Sequence, residues 1–382
     1  MSLWPFFPTG EVVEALEWKT DVLRTKAGEQ RIRVRERPRR TWQLAHIMGA
    51  EDQAAARAIL RGASVLHVPE WIRPLFTGAV AAGTNVVITM TTTGRGLVAG
   101  NSVVLWSSQG NYEVCTIASV SPTDITLSLV NTARNASVYR ADLSRPGAAL
   151  GIDRPGGQWQ RGTITFEATG VPMDPATTYP QYRGHDLLTD VTKVGGGAIE
   201  EAFSRPIQVF DNMTGLVATE ETRDLPDDQF TVRWHSLTQA EQDTVRAWIT
   251  SRYGRWLAFW SPTWQADLVP TATITSAATT INVYSPLGAP SLGRSTFDIE
   301  VAGPAANYQR QVTNVSAGAA VGGRATYNLT ISAALGVTLT TAQVKRISYL
   351  RCARFNADRI EFVFRPGEGM TVSIPCIEVP LP

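Results

Sequence analysis

Short runs in which apolar and polar residues alternate recur along the whole chain, and this pattern is typical of half-buried β-strands. Most runs are five to eight residues long and are separated by glycine, proline, asparagine or aspartate. The clearest runs predict strands at 18–23, 29–35 and 41–47, and again at 207–210, 216–220 and 229–234. In each set the first two strands flank a glycine, Gly28 or Gly215, which predicts a hairpin.

Helical spacing follows each of these sets. Thr238 with Glu241 three residues later forms a capping box, and Val245, Trp248 and Ile249 then fall on one helical face, with Gly254 as the predicted stop. In the first set the corresponding apolar face is Ala56, Ile59 and Leu60, and Gly62 ends the helix. The chain therefore predicts two short helices, each placed after three strands.

The two sets belong to an internal repeat. A colinear series of matches joins residues 14–74 to 201–270, and small drifts in spacing separate the pairs. The matches are Glu14-Ala15-Leu16 with Glu201-Ala202-Phe203, Pro38 with Pro226, Trp42-Gln43-Leu44 with Phe230-Thr231-Val232, Gln53 with Gln242, Arg57-Ala58 with Arg246-Ala247, Pro69-Glu70-Trp71 with Pro262-Thr263-Trp264, and Ile164-Thr165-Phe166 with Ile360-Glu361-Phe362. The series predicts a tandem duplication.

Each copy contains a segment of a different kind. Residues 77–160 and 271–357 are rich in Thr, Val, Ala, Gly and Asn and contain short alternating runs, which predicts a small all-β module. The fold class is therefore mainly β with few short helices, as two framework domains that each carry an inserted module. The predicted division is framework 1 at 11–76 plus 161–189, module 1 at 77–160, a linker at 190–198, framework 2 at 199–270 plus 358–379, and module 2 at 271–357.

Composition narrows the class of protein. The 382 residues carry 35 Lys and Arg against 34 Asp and Glu, so the net charge is +1, whereas a dedicated nucleic-acid binder normally has a clear basic excess. The beginning of the chain does not have the pattern of a signal peptide, and no stretch approaches 18 apolar residues, so no membrane span is predicted. Three scattered cysteines predict buried free thiols rather than a disulfide framework.

No motif for catalysis is present. The chain lacks a phosphate-binding loop, a nucleophile elbow and a His-Glu-x-x-His pattern, and its four histidines do not stand at metal-ligand spacing from one another or from a cysteine. The sequence therefore predicts a protein that is not an enzyme and has no catalytic, metal or cofactor residues.

Aromatic residues are dense at one place in the second copy. Trp256, Phe259, Trp260 and Trp264 lie close together, whereas the first copy keeps only Trp71. One interpretation is a platform for a sugar or lipid, and the other, which we favour, is a core or subunit interface.

The charge pattern is the most informative local feature. From Arg24 to Arg40, eight basic residues stand against two acidic ones, a net charge of +6, and the equivalent stretch Asp211 to Asp228 has six acidic residues against one basic, a net charge of −5. We expect the basic and acidic stretches to pair between subunits of a head-to-tail ring. The candidate residues are Arg31, Arg33, Arg35, Arg37, Arg39 and Arg40 with Glu220, Glu221, Asp224, Asp227 and Asp228. A solvated arginine face and contact with DNA phosphates are the alternatives.

Several of these segments resemble tail proteins of long-tailed bacteriophages. Glu17-Trp18-Lys19-Thr20-Asp21-Val22-Leu23, Gly28-Glu29-Gln30-Arg31 and Arg37-Pro38-Arg39 carry the resemblance in the first copy. Leu237 to Gln242, Tyr253-Gly254-Arg255 and Phe259-Trp260 are similar to the distal tail protein group, as is Tyr179 to Gly184. The resemblance covers the frameworks and not the inserted modules.

The resemblance implies a structural virion protein built on the β-sandwich-plus-helix unit of the tail tube. Such a protein forms a ring at the distal end of the tail, joins the tube to the baseplate or tail tip, and surrounds the channel through which the phage DNA passes. The implied partners are further copies of itself, the tail tube protein, baseplate hub or tail-tip proteins, and tail fibres. The implied location is the virion tail, after synthesis in the cytoplasm of the bacterial host.

Two units per chain predict a trimer with pseudo-sixfold symmetry, and a hexamer with twelve units is the alternative. Two other functions remain open at this stage. A major tail tube protein would be present in hundreds of copies per virion, and a tail-tip component would bind glycan on the host surface.

Overall fold

The computed structural model describes residues 2–25, 28–93, 95–156, 159–169, 179–189, 200–205, 207–211, 213, 215, 217–221, 227–286, 288–290 and 296–380. These residues form a mainly β fold, with 58% strand, two helices and a large antiparallel sheet. The predicted linker at 190–198 and Asp224 lie outside the described residues.

The strands and helices follow one another in two similar series. The first series is β1 (Ser2–Leu3), β2 (Val12–Glu17), β3 (Thr20–Arg24), β4 (Glu29–Arg33), β5 (Arg39–Gly49), α1 (Ala50–Gly62), β6 (Leu66–Val80), β7 (Gly83–Thr89), β8 (Ser102–Ser108), β9 (Asn111–Val120), β10 (Asp124–Val130), β11 (Arg134–Gly156) and β12 (Trp159–Ala168). The second is β13 (Gln181–Tyr182), β14 (His185–Leu187), β15 (Glu201–Ser204), β16 (Ile207–Asp211), β17 (Val217–Glu221), β18 (Asp227–Ser236), α2 (Gln239–Ser251), β19 (Phe259–Pro262), β20 (Val269–Pro270), β21 (Thr280–Tyr284), β22 (Phe297–Ala302), β23 (Asn307–Ala317), β24 (Thr326–Ile331), β25 (Arg346–Phe355), β26 (Arg359–Arg365) and β27 (Gly369–Glu378).

Two groups of strands have the same order in the sheet, and we call them framework 1 and framework 2. Framework 1 has the order β1–β6–β11–β12–β5–β2, and framework 2 has the order β14–β19–β25–β27–β18–β15. A separate hairpin follows the last strand of each order, β3–β4 in framework 1 and β16–β17 in framework 2.

The registers of the two frameworks agree as well as their strand orders. Glu14 lies opposite Trp42 between β2 and β5, and Glu201 lies opposite Phe230 between β15 and β18. In framework 1 Ser144 pairs with Leu66 on one side and with Ala168 on the other. In framework 2 Ala353 pairs in the same way with Phe259 and with Glu378. These registers make Pro69 of framework 1 equivalent to Pro262 of framework 2, as the sequence matches predict.

One sequence match is wrong. Ile164 pairs with Leu44 of β5, and the matching position in β18, Val232, pairs with Ile374 of β27. Ile360 instead lies in β26, opposite Leu16. The structural counterpart of Ile164 is therefore Ile374, and the Ile-x-Phe pattern misled because it fits any strand with one buried face.

Both helices form where the apolar spacing predicts them. In α2 the Thr238 side chain accepts from the Glu241 amide and the Glu241 side chain accepts from the Thr238 amide, which completes the capping box. Val245, Trp248 and Ile249 are buried. The chain leaves this helix through Gly254, whose φ of +64° and closeness to Asp358 leave no room for a side chain.

Each inserted module has a hydrophobic core of its own. Module 1 packs residues such as Ile88, Leu105 and Ile125, and module 2 packs residues such as Ile281, Ile299 and Leu329. The strands that return to the frameworks begin earlier than predicted, because β11 already pairs with β12 from Ser144 and β25 pairs with β19 from Leu350.

The two frameworks are joined edge to edge. Strand β26 pairs with β27 on one side and with β2 of framework 1 on the other, so one sheet continues from one framework to the next. One large core contains Trp4, Trp42 and Phe166 from framework 1 together with Trp234 and Trp248 from framework 2.

The sequence-based division grouped residues 161–189 with framework 1. In the structure β12 (Trp159–Ala168) lies in framework 1, but β14 (His185–Leu187) hydrogen-bonds to β19, and Asp186 accepts from the Trp248 indole at 3.0 Å, so β14 lies with framework 2. Their counterparts at the beginning of the chain, Ser2 and Leu3, pair in the same way with β6.

Candidate functional site

A buried ionic cluster lies where framework 1 meets framework 2, and we call this region the internal junction. Glu14 of β2 is fully buried and lies 2.6 Å from Nε of Arg40 and 2.7 Å from Nε of Arg246 in α2. Leu16 of the same strand is 3% exposed, because β26 covers the outer edge of β2. The junction therefore combines strand pairing with a buried ion pair between the frameworks.

Glu14 is held in its ionised form. Burial alone raises the pKa of this carboxyl group, but the guanidinium groups of Arg246 and Arg40 outweigh burial and lower the pKa to about 2. Removing one partner of such a buried pair leaves an uncompensated charge, which typically costs about 3–5 kcal/mol.

The cluster extends through framework 1 to the beginning of α2. Arg40 also contacts Glu70 and Asp142, and Arg73 contacts Glu70 and Asp243 of α2. Because Asp243 belongs to framework 2, these contacts tie the two frameworks together at a second point.

The same ion pair occurs in framework 2 with the charges exchanged. In framework 1 the guanidinium of Arg40 contacts Asp142 of β11 and lies 4.4 Å from the ring centre of Trp42. At the matching positions of framework 2, Asp228 replaces the arginine, Arg351 replaces the aspartate, and the two lie 2.6 Å apart.

A guanidinium nevertheless lies over the aromatic ring in both frameworks. In framework 2 it is that of Arg351, which lies 4.2 Å from the ring centre of Phe230. Glu201 takes the place of Glu14, and its Oε1 lies 3.1 Å from Nη2 of Arg351 at an angle at which no hydrogen bond forms. In the part of the chain that the structure describes, Glu201 Oε1 and Asp228 Oδ1 are buried without a hydrogen-bond partner.

The predicted basic stretch is covered on its charged side. Arg33 lies 4.5 Å from the ring centre of Trp256 and 4.8 Å from that of Tyr253, both in framework 2. Arg354 of framework 2, which is fully buried, reaches Glu29 of the hairpin at 2.6 Å. The predicted alternation of the strand is confirmed. The apolar side chains of Ile32 and Val34, which are 55% and 50% exposed, form its exposed face.

The other basic residues differ in their surroundings. Arg31 lies 3.5 Å from Glu29, and Arg35 donates to the backbone carbonyl of Glu17 at 2.7 Å. Arg37 and Arg39 are exposed, whereas Arg40 is 5% exposed inside the ionic cluster. Arg40 therefore lies inside framework 1 and not on the surface where the sequence analysis placed it.

The acidic stretch is also divided between surface and interior. Glu220 and Glu221 are exposed on the hairpin β16–β17, where Glu221 lies 2.9 Å from Arg205. Asp227 lies in β18, and Asp228 is buried against Arg351. Among the described residues, the basic and acidic candidates do not contact one another within the chain.

The aromatic candidates lie mostly in the interior. Trp71, Phe259 and Trp260 are buried in the hydrophobic cores, and Trp264 is partly buried against the largest core. Trp256 lies between the frameworks, under Arg33. This placement agrees with a core and interface role for the set.

Two regions of the described chain have the same places in their framework as the two sides of the internal junction. Phe203 of β15 matches Leu16 of β2 but is 69% exposed, and all residues of β16 and β17 are exposed. On framework 1, Arg57 of α1 matches Arg246, and it has no ion-pair partner among the described residues. Sequence reasoning missed Glu14, Glu201 and both of these arginines as functional candidates, although all four appear in the repeat matches.

Arg57 borders a small pocket between α1 and β12. Gln53 and Gln160 also line this pocket, and Gln160 Oε1 is buried without a hydrogen-bond partner in the described ranges.

The comparisons with known proteins give no relative: no protein-family model matches the chain, and no curated protein matches its sequence. Within the described residues there is no cluster of three or more His, Cys, Asp and Glu side chains that could hold a metal ion. Neither described helix is long and apolar enough to cross a membrane. The three cysteines, Cys115, Cys352 and Cys376, are free and buried, as predicted.

Proposed function

We propose that the chain is a structural protein of a long-tailed bacteriophage virion, which forms a ring at the distal end of the tail between the tail tube and the baseplate or tail tip. The ring surrounds the channel through which DNA leaves. In this function the protein is not an enzyme and has no cofactor. Its partners are further copies of itself, the tube protein, baseplate hub or tail-tip proteins and tail fibres.

The fold proposed for this function is a tandem duplication of a tail-tube-like domain. The equal strand orders, the equal registers at Glu14 and Glu201, and the two 13-residue helices support it. The charge-exchanged pairs Arg40–Asp142 and Asp228–Arg351 support it further, because two buried positions that contact each other have changed together.

One observation carries the proposal of a ring. Within the chain, the edge strand β2 of framework 1 pairs with the edge strand β26 of framework 2. In the described part of the chain β15 has a partner on one edge only, and so has the end of β11 that matches β26. Two different surfaces of one molecule that bind each other between copies produce head-to-tail association. Such association gives either a closed ring or an open filament.

Three chains would supply six frameworks, so we propose a trimeric ring with pseudo-sixfold symmetry. The inserted modules, which have separate cores, would project from this ring toward neighbouring tail proteins. The described aromatic residues are largely buried, so they support a glycan-binding surface less well than a structural role.

Mass and shape of the purified chain test this proposal. Native mass spectrometry should give a mass of three chains, and cryo-electron microscopy should show rings with six framework units that alternate between two kinds. A monomer at micromolar concentration, or a sixfold ring of twelve units, would overturn the trimer. Antibodies against the chain should label one end of purified phage tails, whereas labelling along the whole tube would favour the tube protein.

A further inference from the structure

The internal junction has a counterpart that the chain cannot complete by itself. We infer that β15 of one copy pairs with residues 150–153 of β11 in a second copy, with Glu201 of the first copy held by Arg57 of the second. This inference rests on the proposed self-association and names the surfaces that carry it. The partner is a second copy of this chain.

The strand register follows from the repeat. Position 152 in β11 and Phe362 in β26 are equivalent, because Ile152 pairs with Gly162 and Phe362 pairs with Val372 at matching places in β12 and β27. Phe362 lies opposite Glu14 on its other side. Since Glu201 matches Glu14, the register between copies sets Glu201 opposite Ile152 and Ala202 opposite Gly151.

The exposures agree with a missing partner. Leu16, which β26 covers, is 3% exposed, whereas its match Phe203 is 69% exposed. A long apolar side chain on an unpaired strand edge is a surface that folded proteins normally cover. Pairing with β11 of a second copy covers Phe203 in the way that β26 covers Leu16.

The charges also agree. Glu201, Asp228 and Arg351 together carry one excess negative charge, as do Glu14, Arg40 and Asp142 at the matching positions. In framework 1 the excess is balanced by Arg246, which is the arginine of the adjoining framework's helix.

Arg57 has the same place in α1 as Arg246 has in α2, eight residues into a helix of the same length. It is therefore positioned to reach Glu201 Oε1, which is buried and lacks a hydrogen bond in the described residues. A charge-assisted bidentate contact there would complete the cluster of framework 2.

The hairpins of the two frameworks can be compared in the same register. The basic hairpin β3–β4 covers Arg354 of framework 2. The matching residue of framework 1, Arg145, is exposed and has no ion-pair partner among the described residues. In the exposed hairpin β16–β17 Val217 has the place of Glu29 and Glu221 has the place of Arg33, so docking of this hairpin on a second copy brings one acidic residue, Glu221, to the covered face.

Cysteine cross-linking tests the register directly. The double variant Ala202→Cys with Gly151→Cys should form covalent dimers and trimers on mild oxidation, detected by non-reducing electrophoresis, because directly opposite residues come within disulfide reach. The matched control, Ala202→Cys with Asp153→Cys, is two residues out of register and should remain mostly uncross-linked. Equal cross-linking of both pairs, or of neither, would overturn the register.

Charge reversal tests the ion pair. Arg57→Glu should weaken association by about thirtyfold or more, measured by sedimentation, since it places like charges together in a buried contact. Arg324→Glu, which makes the same charge change at an exposed position of module 2, should leave association unchanged. Near-ultraviolet circular dichroism checks that both variants fold.

The two experiments separate the inference from the proposed function. If the unmodified chain is monomeric, the ring itself fails. If the unmodified chain forms rings that Arg57→Glu does not weaken and that the Ala202–Gly151 pair does not cross-link, the ring stands and this interface is wrong.

Discussion

Individual charged residues in this protein are placed by partners that lie far away in the chain. Arg40 contacts Asp142, 102 residues later, and Arg246 contacts Glu14 across 232 residues. The exchanged pair Asp228–Arg351 shows that the interior requires a guanidinium over the aromatic ring and a carboxylate beside it, whichever strand supplies each group. The sign of a charge at one position is thus less constrained than the sum over the cluster.

His46 gives a prediction for the pH dependence of stability. The Trp4 indole donates to His46 Nε2 at 3.3 Å, and Nδ1 lies 3.3 Å from the Phe7 carbonyl, an arrangement that fits the neutral ring. Burial lowers the pKa of His46 to about 4, although the Phe7 carbonyl acts in the opposite direction.

Because the pKa in the folded state lies below the unfolded value of about 6.5, the neutral histidine stabilises the fold above pH 6.5. This contribution, about 3 kcal/mol at most, is lost as the pH falls from 6.5 toward 4. We expect the free energy of unfolding of His46→Gln, measured with urea, to fall less over that pH interval than that of the unmodified protein. An identical loss in both proteins would contradict the placement of His46.

Elements of the same type and length have different surroundings in the two frameworks. Helices α1 and α2 each have 13 residues, but α2 buries most of its second half between the frameworks, while α1 buries only Gln53 and Ala56. The hairpin β3–β4 lies against framework 2, while β16–β17 is exposed throughout. The differences arise because β26 of framework 2 pairs with the β2 edge of framework 1 within the same chain.

The helix caps offer a matched pair of variants. Thr238 caps α2 through its side chain, whereas the equivalent Gly49 gives α1 no side-chain cap. Thr238→Ala should lower the free energy of unfolding by about 1 kcal/mol, because a backbone donor loses its partner.

Gly49→Ser should raise it by a few tenths of a kcal/mol, since an added Cβ meets nothing within 4 Å there. Chemical denaturation monitored by tryptophan fluorescence measures both. A larger loss at Gly49 than at Thr238 would contradict the assignment of the caps.

At the scale of the whole molecule, the frameworks depend on each other, and each module has a cluster of its own, although Tyr139 and Trp106 of module 1 also pack in the framework core. Strand β2 lies between β5 and β26, and the largest core takes tryptophans from both frameworks. Each module packs around a cluster of its own. The frameworks are therefore expected to fold as one unit.

Splitting the chain tests this mutual dependence. Residues 1–175 and 176–382, produced separately, should each lack a cooperative unfolding transition, because each exposes apolar surface and one side of the Glu14–Arg246 pair. Produced together, they should co-purify and regain the near-ultraviolet circular dichroism of the intact chain. A fragment that unfolds cooperatively by itself at the midpoint of the intact protein would show that the shared core is dispensable.

The sequence by itself determined the mainly β class, the strands of the two predicted sets, the two helices and the capping box, because these depend on periodicity and on residues a few positions apart. It did not determine which strands return together, as the match of Ile164 with Ile360 instead of Ile374 shows. Only the tertiary structure decided which face of Arg31 to Arg35 is covered and that Arg40 and Asp228 are buried. Those outcomes depend on partners that are distant in the chain, such as Glu70 for Arg40, 30 residues apart, and Arg354 for Glu29, 325 residues apart.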